Sequence, residues 1–150
     1  MATSQRPDIR LTPEEQAEFL RQNRKAALAT IDKDGFPHVV AMSYYAKDGA
    51  YYMTSYAKAQ KVVNIRRNPN VGLMVEAGGA YAELRGVMVR GHCEIIEDVA
   101  AVEEVFVEMA RTATGKRPER SADVASKRVV LKIVPHKTMT WDHNKLGGRY

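Results

Sequence analysis

Midway along the chain the sequence reads YYMTSYAKAQKVVNIRRNPNVGLMVE, from Tyr51 to Glu76, and the corner inside it has the makings of an anion site. Thr54 and Ser55 end an apolar, strand-like run; Lys58 and Lys61 follow, where a short helical pattern begins. Free backbone N–H groups and the positive end of the helix dipole point at whatever precedes a helix start. A lysine in the first turn adds a point charge there, and the two hydroxyls add donors. The plain alternative is a solvated helix face whose lysines only keep the surface soluble. The residues by themselves favour that alternative.

Other chemistry finds less support. His38, His92, His136 and His143 show neither HExxH nor any other compact metal spacing, so no metal site is expected. One axial haem histidine needs no local motif, which keeps His38 and His92 as haem-ligand candidates. There is no GxSxG around a serine, and Glu103-Glu104 lies on a helix flank where solvation explains it. Cys93 is the only cysteine; it excludes an intramolecular disulfide and reads as a buried, inert thiol. Near the C-terminus, Trp141-Asp142-His143-Asn144-Lys145 sets the only tryptophan among polar and basic groups. Trp141 is either a core anchor or a platform for a planar ligand, with Lys145 or Arg149 meeting an anion.

At 150 residues, with 45% hydrophobic and 27% charged residues, the chain has the size and balance of one soluble globular domain. A net charge of +5 favours anionic partners: nucleic acid, an anionic membrane surface or a phosphorylated small molecule. Tyr44, Tyr45, Tyr51 and Tyr52 would be the stacking platforms of a nucleic-acid barrel, but alternating tyrosines more often mark half-buried strands. No apolar run is long enough to span a bilayer, and MATSQRPDIRLTPEEQ lacks the apolar core of a signal peptide. The expected partner is a small molecule, with neither nucleic acid nor membrane, and the expected location is the cytoplasm.

These candidate groups must be positioned by short elements. Thr12, Pro13 and Glu15 form a capping box that starts a helix fading near Asn23. Strands are expected over residues 26–31, 36–45 and 51–54, joined by turns at Asp34-Gly35 and Asp48-Gly49. A short helix through Val62 and Ile65 stops at Asn68-Pro69. Residues 71–75 and 81–96 read as strands, with Gly86 and Gly91 as bend points. Asp98 caps a second helix, ended by Gly115; residues 114–125 read as loop and 128–134 as a last strand. Residues 1–10 are expected to be a flexible N-terminus and 136–150 a C-terminal tail. Hairpin-linked strands with inserted helices, without GxGxxG or GxxxxGK[ST], point to a small β-barrel and away from a Rossmann domain.

The run ATIDKDGFPHVVAMSYYAKDGAYYMTSYAKAQKVVNIRRNPNVGLMVE, followed by LRGVMVRGHCEIIED, resembles the pyridoxamine 5′-phosphate oxidase-like superfamily. More narrowly, it is similar to its flavin- and deazaflavin (F420)-dependent oxidoreductases. Three pieces carry the likeness in order: "AT", a turn and "GFPHVV"; then "KVVNIRRNPNV"; then "RGVMVRG". Together they span about residues 26–98.

The resemblance implies a mainly β fold, a six-stranded antiparallel split barrel of the FMN-binding type, filling the chain as a single domain. It also implies a homodimer with cofactor in grooves between protomers. Lys61 matches the residue that meets the cofactor phosphate, with Thr54, Ser55 and Asn64 around it. Val40, Ala41, Met42 and Ser43 match the strand whose backbone lies along the cofactor ring. Relatives often carry a further arginine where this chain has Ala59 and Gln60, and Lys58 is placed to supply that charge. The implied function is hydride transfer between bound F420 or FMN and a small organic substrate, F420 being the favoured of the two. Tyr81, Arg85, Trp141 and Lys145 are substrate-side candidates, and no side chain is assigned as catalytic. A haem-handling split barrel is the alternative. Pyridoxamine 5′-phosphate oxidase activity proper is less favoured, because that enzyme is longer and carries a basic substrate motif near its C-terminus, where this chain ends KLGGRY.

Overall fold

The computed structural model describes residues 6–148. Arg149, considered above as an anion contact, lies outside the described residues. Helix α1 (Pro13–Gln22) starts at its capping box: the Glu15 N–H donates to Thr12 Oγ1 at 3.2 Å, and Glu15 Oε2 accepts from the Thr12 N–H at 3.4 Å. Strands β1 (Lys25–Ile31), β2 (Pro37–Ser43), β3 (Tyr45–Lys47) and β4 (Ala50–Tyr56) follow as hairpins, and then α2 (Gln60–Arg67). Strands β5 (Asn70–Ala77) and β6 (Arg85–Ile96), helices α3 (Val99–Thr114) and α4 (Ser121–Ala125), and β7 (Arg128–Asp142) complete the chain, with 3₁₀ turns at Tyr81–Glu83 and His143–Leu146.

One curled antiparallel sheet in the order β2-β1-β5-β6-β7-β4-β3 forms a split barrel. It has seven strands rather than six, because the expected strand over residues 36–45 breaks at Tyr44. That residue is buried, and its hydroxyl donates to the Asn23 carbonyl at 2.6 Å. The inner face of the curl packs Leu28, Val75, Val87, Leu131 and Ile133 against Phe19 of α1 and Val62 and Ile65 of α2. Each such buried side chain contributes about 1.5–3 kcal/mol. On the outer face, Val102 and Val105 of α3 pack on Val130 of β7, beside Tyr45 and Tyr52. Tyr44 and Tyr51 lie in the core, so this tyrosine run is not an exposed stacking surface.

Several boundaries differ from the sequence expectation: β6 begins at Arg85 rather than residue 81, because Tyr81–Glu83 forms a 3₁₀ turn. Strand β7 runs to Asp142 instead of stopping at Val134, so the supposed tail begins as sheet, paired with β6 from Arg85↔Asp142 onward. Pro135 does not stop it because it sits at a β-bulge, where proline's missing N–H is tolerated. The N-terminal segment is tied down near its end: the Ile9 carbonyl accepts from the Asp142 N–H at 2.7 Å. Within residues 114–125, expected as loop, α4 forms over the short run SADVA.

Candidate functional site

The basic corner forms where β4 hands over to α2. Lys61 Nζ lies 3.4 Å from Ser55 Oγ, and Thr54 and Ser55 are both buried. Helix α2 has no side-chain cap at Ala59 and no acidic residue in its first turn, so neither offsets its positive end. Lys58 is exposed on the turn just before it.

A second cation joins this corner from far along the chain. Arg128, first residue of β7, pairs with Tyr56, and its guanidinium stacks 4.2 Å from the Tyr56 ring centroid. Its Nε is buried and has no hydrogen-bond partner. Among the described residues neither Arg128 nor Lys61 forms an ion pair with a carboxylate. Burial, and then the Arg128 guanidinium, hold the Lys61 ammonium below the ordinary lysine range. Two cations facing each other without an anion form a site that an anion would relax.

Arg128 and Thr54 also line a cleft of about 440 Å³ that runs between β2 and the C-terminal half of α3. Ala41, Met42 and Ser43 form one wall, and Phe106, Met109 and Ala113 the other. Strand β2 is an edge of the sheet, which leaves the N–H and C=O groups of its free side available for a ligand. Lys25 Nζ donates to Ser43 Oγ at 3.0 Å at the cleft's rim. The cleft is therefore basic and hydroxyl-lined at one end and apolar along the helix, the shape of chemistry a flat ring with an anionic arm would need.

Not every residue expected here takes part. Asn64 is fully buried: its amide donates to Thr30 Oγ1 at 3.0 Å and accepts from Gln60 Nε2 at 2.8 Å. It clamps α2 to β1, with its amide nitrogen turned to Thr30 and its amide oxygen to Gln60. Val40 alternates inward and packs against the core, away from the cleft lining. The sequence reading missed Arg128 together with Phe106 and Met109, because a charged residue at a strand start and apolar residues on a helix look ordinary in isolation.

The substrate-side candidates gather at the other end of β7. Arg85 lies over the Phe19 ring at 5.2 Å and 3.5 Å from Asp142 Oδ2. Lys145 Nζ donates to Glu15 Oε2 at 2.6 Å and to the Arg10 carbonyl at 2.7 Å. Lys145 thus ties the C-terminal turn to the start of α1, while Arg85, whose buried Nε has no hydrogen-bond partner among the described residues, pairs with the end of β7. Trp141 lies across Gly86, where a Cβ would come within 2.1 Å of its ring, so that glycine seats the indole rather than bending the strand. Tyr81 is exposed, with its ring 4.5 Å from that of His143. Cys93 is buried, and burial pushes its thiol up to about 12, which leaves it unreactive at neutral pH. Among the described residues no group of three or more His, Cys, Asp or Glu is placed to hold a metal, and no helix is long and apolar enough to cross a membrane.

The class these features define is shown by comparison with known proteins. The chain belongs to the pyridoxamine 5′-phosphate oxidase family, whose model matches residues 12–142. Among solved structures it is similar to a conserved hypothetical protein of Mycobacterium tuberculosis, 39% identical over 99% of this chain and 95% of that one, with a TM-score of 0.88. It is also similar to an F420 reductase, 28% identical over 85% of this chain and 98% of that one, with a TM-score of 0.71. A haem storage protein of Vibrio cholerae, at 19% identity over 89% of this chain and 96% of that one and a TM-score of 0.69, shares the fold alone. No protein of curated function matches the sequence.

Proposed function

We propose that this protein is an oxidoreductase that holds a phosphate-bearing deazaflavin, F420, or alternatively FMN, in the cleft between β2 and α3. The observation that carries the reading is the Arg128–Lys61 pair: two cations that oppose one another, one with a buried nitrogen lacking a hydrogen bond, and neither in an ion pair with a carboxylate among the described residues. Such an arrangement costs stability in the free protein and is repaid only by an anion. Lys61, Arg128, Ser55 and Thr54 would hold the phosphate, with Lys58 adding charge at the rim. The free edge of β2 at Ala41 to Ser43 would hydrogen-bond the ring's polar edge, and Phe106 and Met109 would cover its face and exclude water. When bound, such a cofactor supplies hydride transfer to or from a small organic molecule. The chain's own part is orientation and exclusion of water, and no side chain is assigned as an acid or base. The likeness to an F420 reductase at 28% identity supports F420 over FMN.

A homodimer belongs to the same proposal. On the outer face left bare by α3, Ala41, Ala27, Met74, Met88 and Met139 stand in register across five neighbouring strands. An apolar row of this kind is the face a second copy would cover, and Ala41 belongs both to that row and to the cleft. Tyr81 and Trp141 remain the substrate-side candidates.

The test is an absorbance and fluorescence titration of the purified protein with F420 and with FMN, beside its spectrum as purified. Saturable F420 binding that weakens on Lys61→Ala supports the reading. Tight FMN binding moves the protein to the flavin enzymes. A Soret band lost on His38→Ala makes it a haem protein, and binding of no cofactor at all overturns the assignment.

A further inference from the structure

A cluster on the opposite side of the sheet from the core is unrelated to the cleft. The pairing of β6 with β7 slips between Arg90↔Lys137 and Gly91↔Pro135, which leaves His136 as the extra residue of a bulge. Gly91 makes the slip feasible, since a Cβ there would come within 2.3 Å of the Val134 carbonyl oxygen. The bulge swings His136 against His92 of the neighbouring strand. His92 Nδ1 and His136 Nε2 end 2.6 Å apart, with the ring planes inclined at 49°.

We propose that His92 and His136 form a two-histidine site for a divalent transition-metal ion with a tetragonal preference, Cu(II) or Ni(II). Glu94 Oε1 lies 3.5 Å from His92 Nε2, on the far side of the ring from His136. A carboxylate in that position draws the imidazole proton to Nε2 and leaves the Nδ1 lone pair facing His136, the second-shell arrangement that orients metal-bound histidines. In the free protein His136 Nε2–H then donates to that lone pair, and an ion is admitted when His136 moves its proton to Nδ1 and turns its Nε2 lone pair to the metal as well. At metal–nitrogen bonds of about 2.0–2.1 Å, two ligands at a right angle need about 2.9 Å between nitrogens and tetrahedral ones about 3.4 Å. The observed 2.6 Å is shorter than either, as a proton shared between the rings requires, so the rings must part to admit an ion, by about 0.3 Å for the right-angle geometry of tetragonal Cu(II) or Ni(II) and by about 0.8 Å for tetrahedral Zn(II). Both rings reach solvent, so the ion has an entry path and water can complete its shell. Arg90 and Lys137 stand in the row beside the pair and oppose a dication; Glu94, itself 3.9 Å from Lys132 Nζ, offsets them.

The experiment is a titration of untagged, chelator-washed full-length protein with copper sulfate, followed by calorimetry and by the electron paramagnetic resonance of Cu(II). The expected result is one equivalent of Cu(II) with coupling to two imidazole nitrogens. His92→Gln and His136→Gln should each weaken binding at least about 10-fold, and Glu94→Gln by about 10-fold through ligand orientation. His143→Gln serves as the control that leaves binding unchanged. Circular dichroism and Tm of each variant separate loss of ligand from loss of fold. Cu(II) binding that persists undiminished in a folded His92→Gln or His136→Gln variant overturns the site. So does a wild type that takes up no more copper than a variant carrying both His92→Gln and His136→Gln, in which case the two rings merely share a proton.

Discussion

Arg128→Gln is the perturbation that tests the site most directly. Among the described residues the guanidinium has no acidic partner and carries a buried Nε without a hydrogen bond, and it disfavours the charge on Lys61. In the free protein its removal should cost little. The stacking over Tyr56 is worth about 0.5–1 kcal/mol, and losing the unsatisfied nitrogen returns a similar amount. Tm should therefore stay within about 3 °C of wild type. Cofactor binding should suffer far more. One hydrogen bond to a charged phosphate is worth about 1.5–3 kcal/mol, or roughly 10- to 150-fold in Kd. Part of that loss is returned by Lys61, whose ammonium the Arg128 guanidinium no longer opposes. The double variant with Lys61→Met, in which that compensation is absent, should accordingly lose more than the two single losses combined. The assay is fluorescence titration with F420 at fixed low ionic strength, alongside thermal melts. An affinity unchanged within twofold refutes the anion site. A Tm that falls by more than about 6 °C shows instead that Arg128 is a structural residue.

The same corner gives a pH prediction. Lys61 binds its proton more weakly in the folded protein than lysine does in an unfolded chain, so between the lowered value and the ordinary one the unfolded state holds the extra proton. Stability therefore rises with pH across that window, and the penalty of the buried charge is fully present below it. Urea unfolding of wild type and Lys61→Met from pH 8 to 10.5 should show their difference shrinking as pH rises; a constant difference counts against the burial account. Asn64→Ala leaves the Thr30 hydroxyl and the Gln60 amide without their buried partner, at about 2–3 kcal/mol, or roughly 5–10 °C in Tm. F420 affinity should stay within threefold, and a tenfold fall at unchanged Tm would return Asn64 to the phosphate. Met88→Glu puts a carboxylate in the centre of the methionine row and should convert a dimer to monomers in sedimentation velocity. A wild type that sediments as a monomer at micromolar concentration removes the dimer proposal.

What could be read from the sequence was whatever is decided locally. Thr12, Pro13 and Glu15 start α1, and Asp98 and Gly115 bound α3, because caps are settled by a few adjacent residues. The alternation of β1 and β5 gave the strands, and resemblance gave their assembly. Strand β7 was cut short at Val134 because the pairing that continues it comes from β6, and the bulge that excuses Pro135 depends on Gly91 there. Arg128 was missed for the same reason. Only the β4–β7 register, Tyr56↔Arg128, carries it to the corner that holds Lys61. Asn64 was set beside Lys61 by the resemblance, and the sequence carried no sign that its buried amide is turned to Thr30 of β1.

The cleft lies along a seam. Helix α3 covers the outer face of the sheet over β3, β4 and the start of β7, through Val102, Val105 and Met109. The remaining outer face, from β2 across to the far half of β7, carries the bare methionine row. Ala41 sits on the boundary, and whatever covers the bare half also borders the cleft. If a second copy provides that cover, binding in the cleft and association of the two chains share a surface and must be linked. Linkage is reciprocal: cofactor that binds the pair more tightly than the single chain tightens the pair by the same factor. A small domain with an open, partly apolar cleft would in this way gain a closed site without a longer chain.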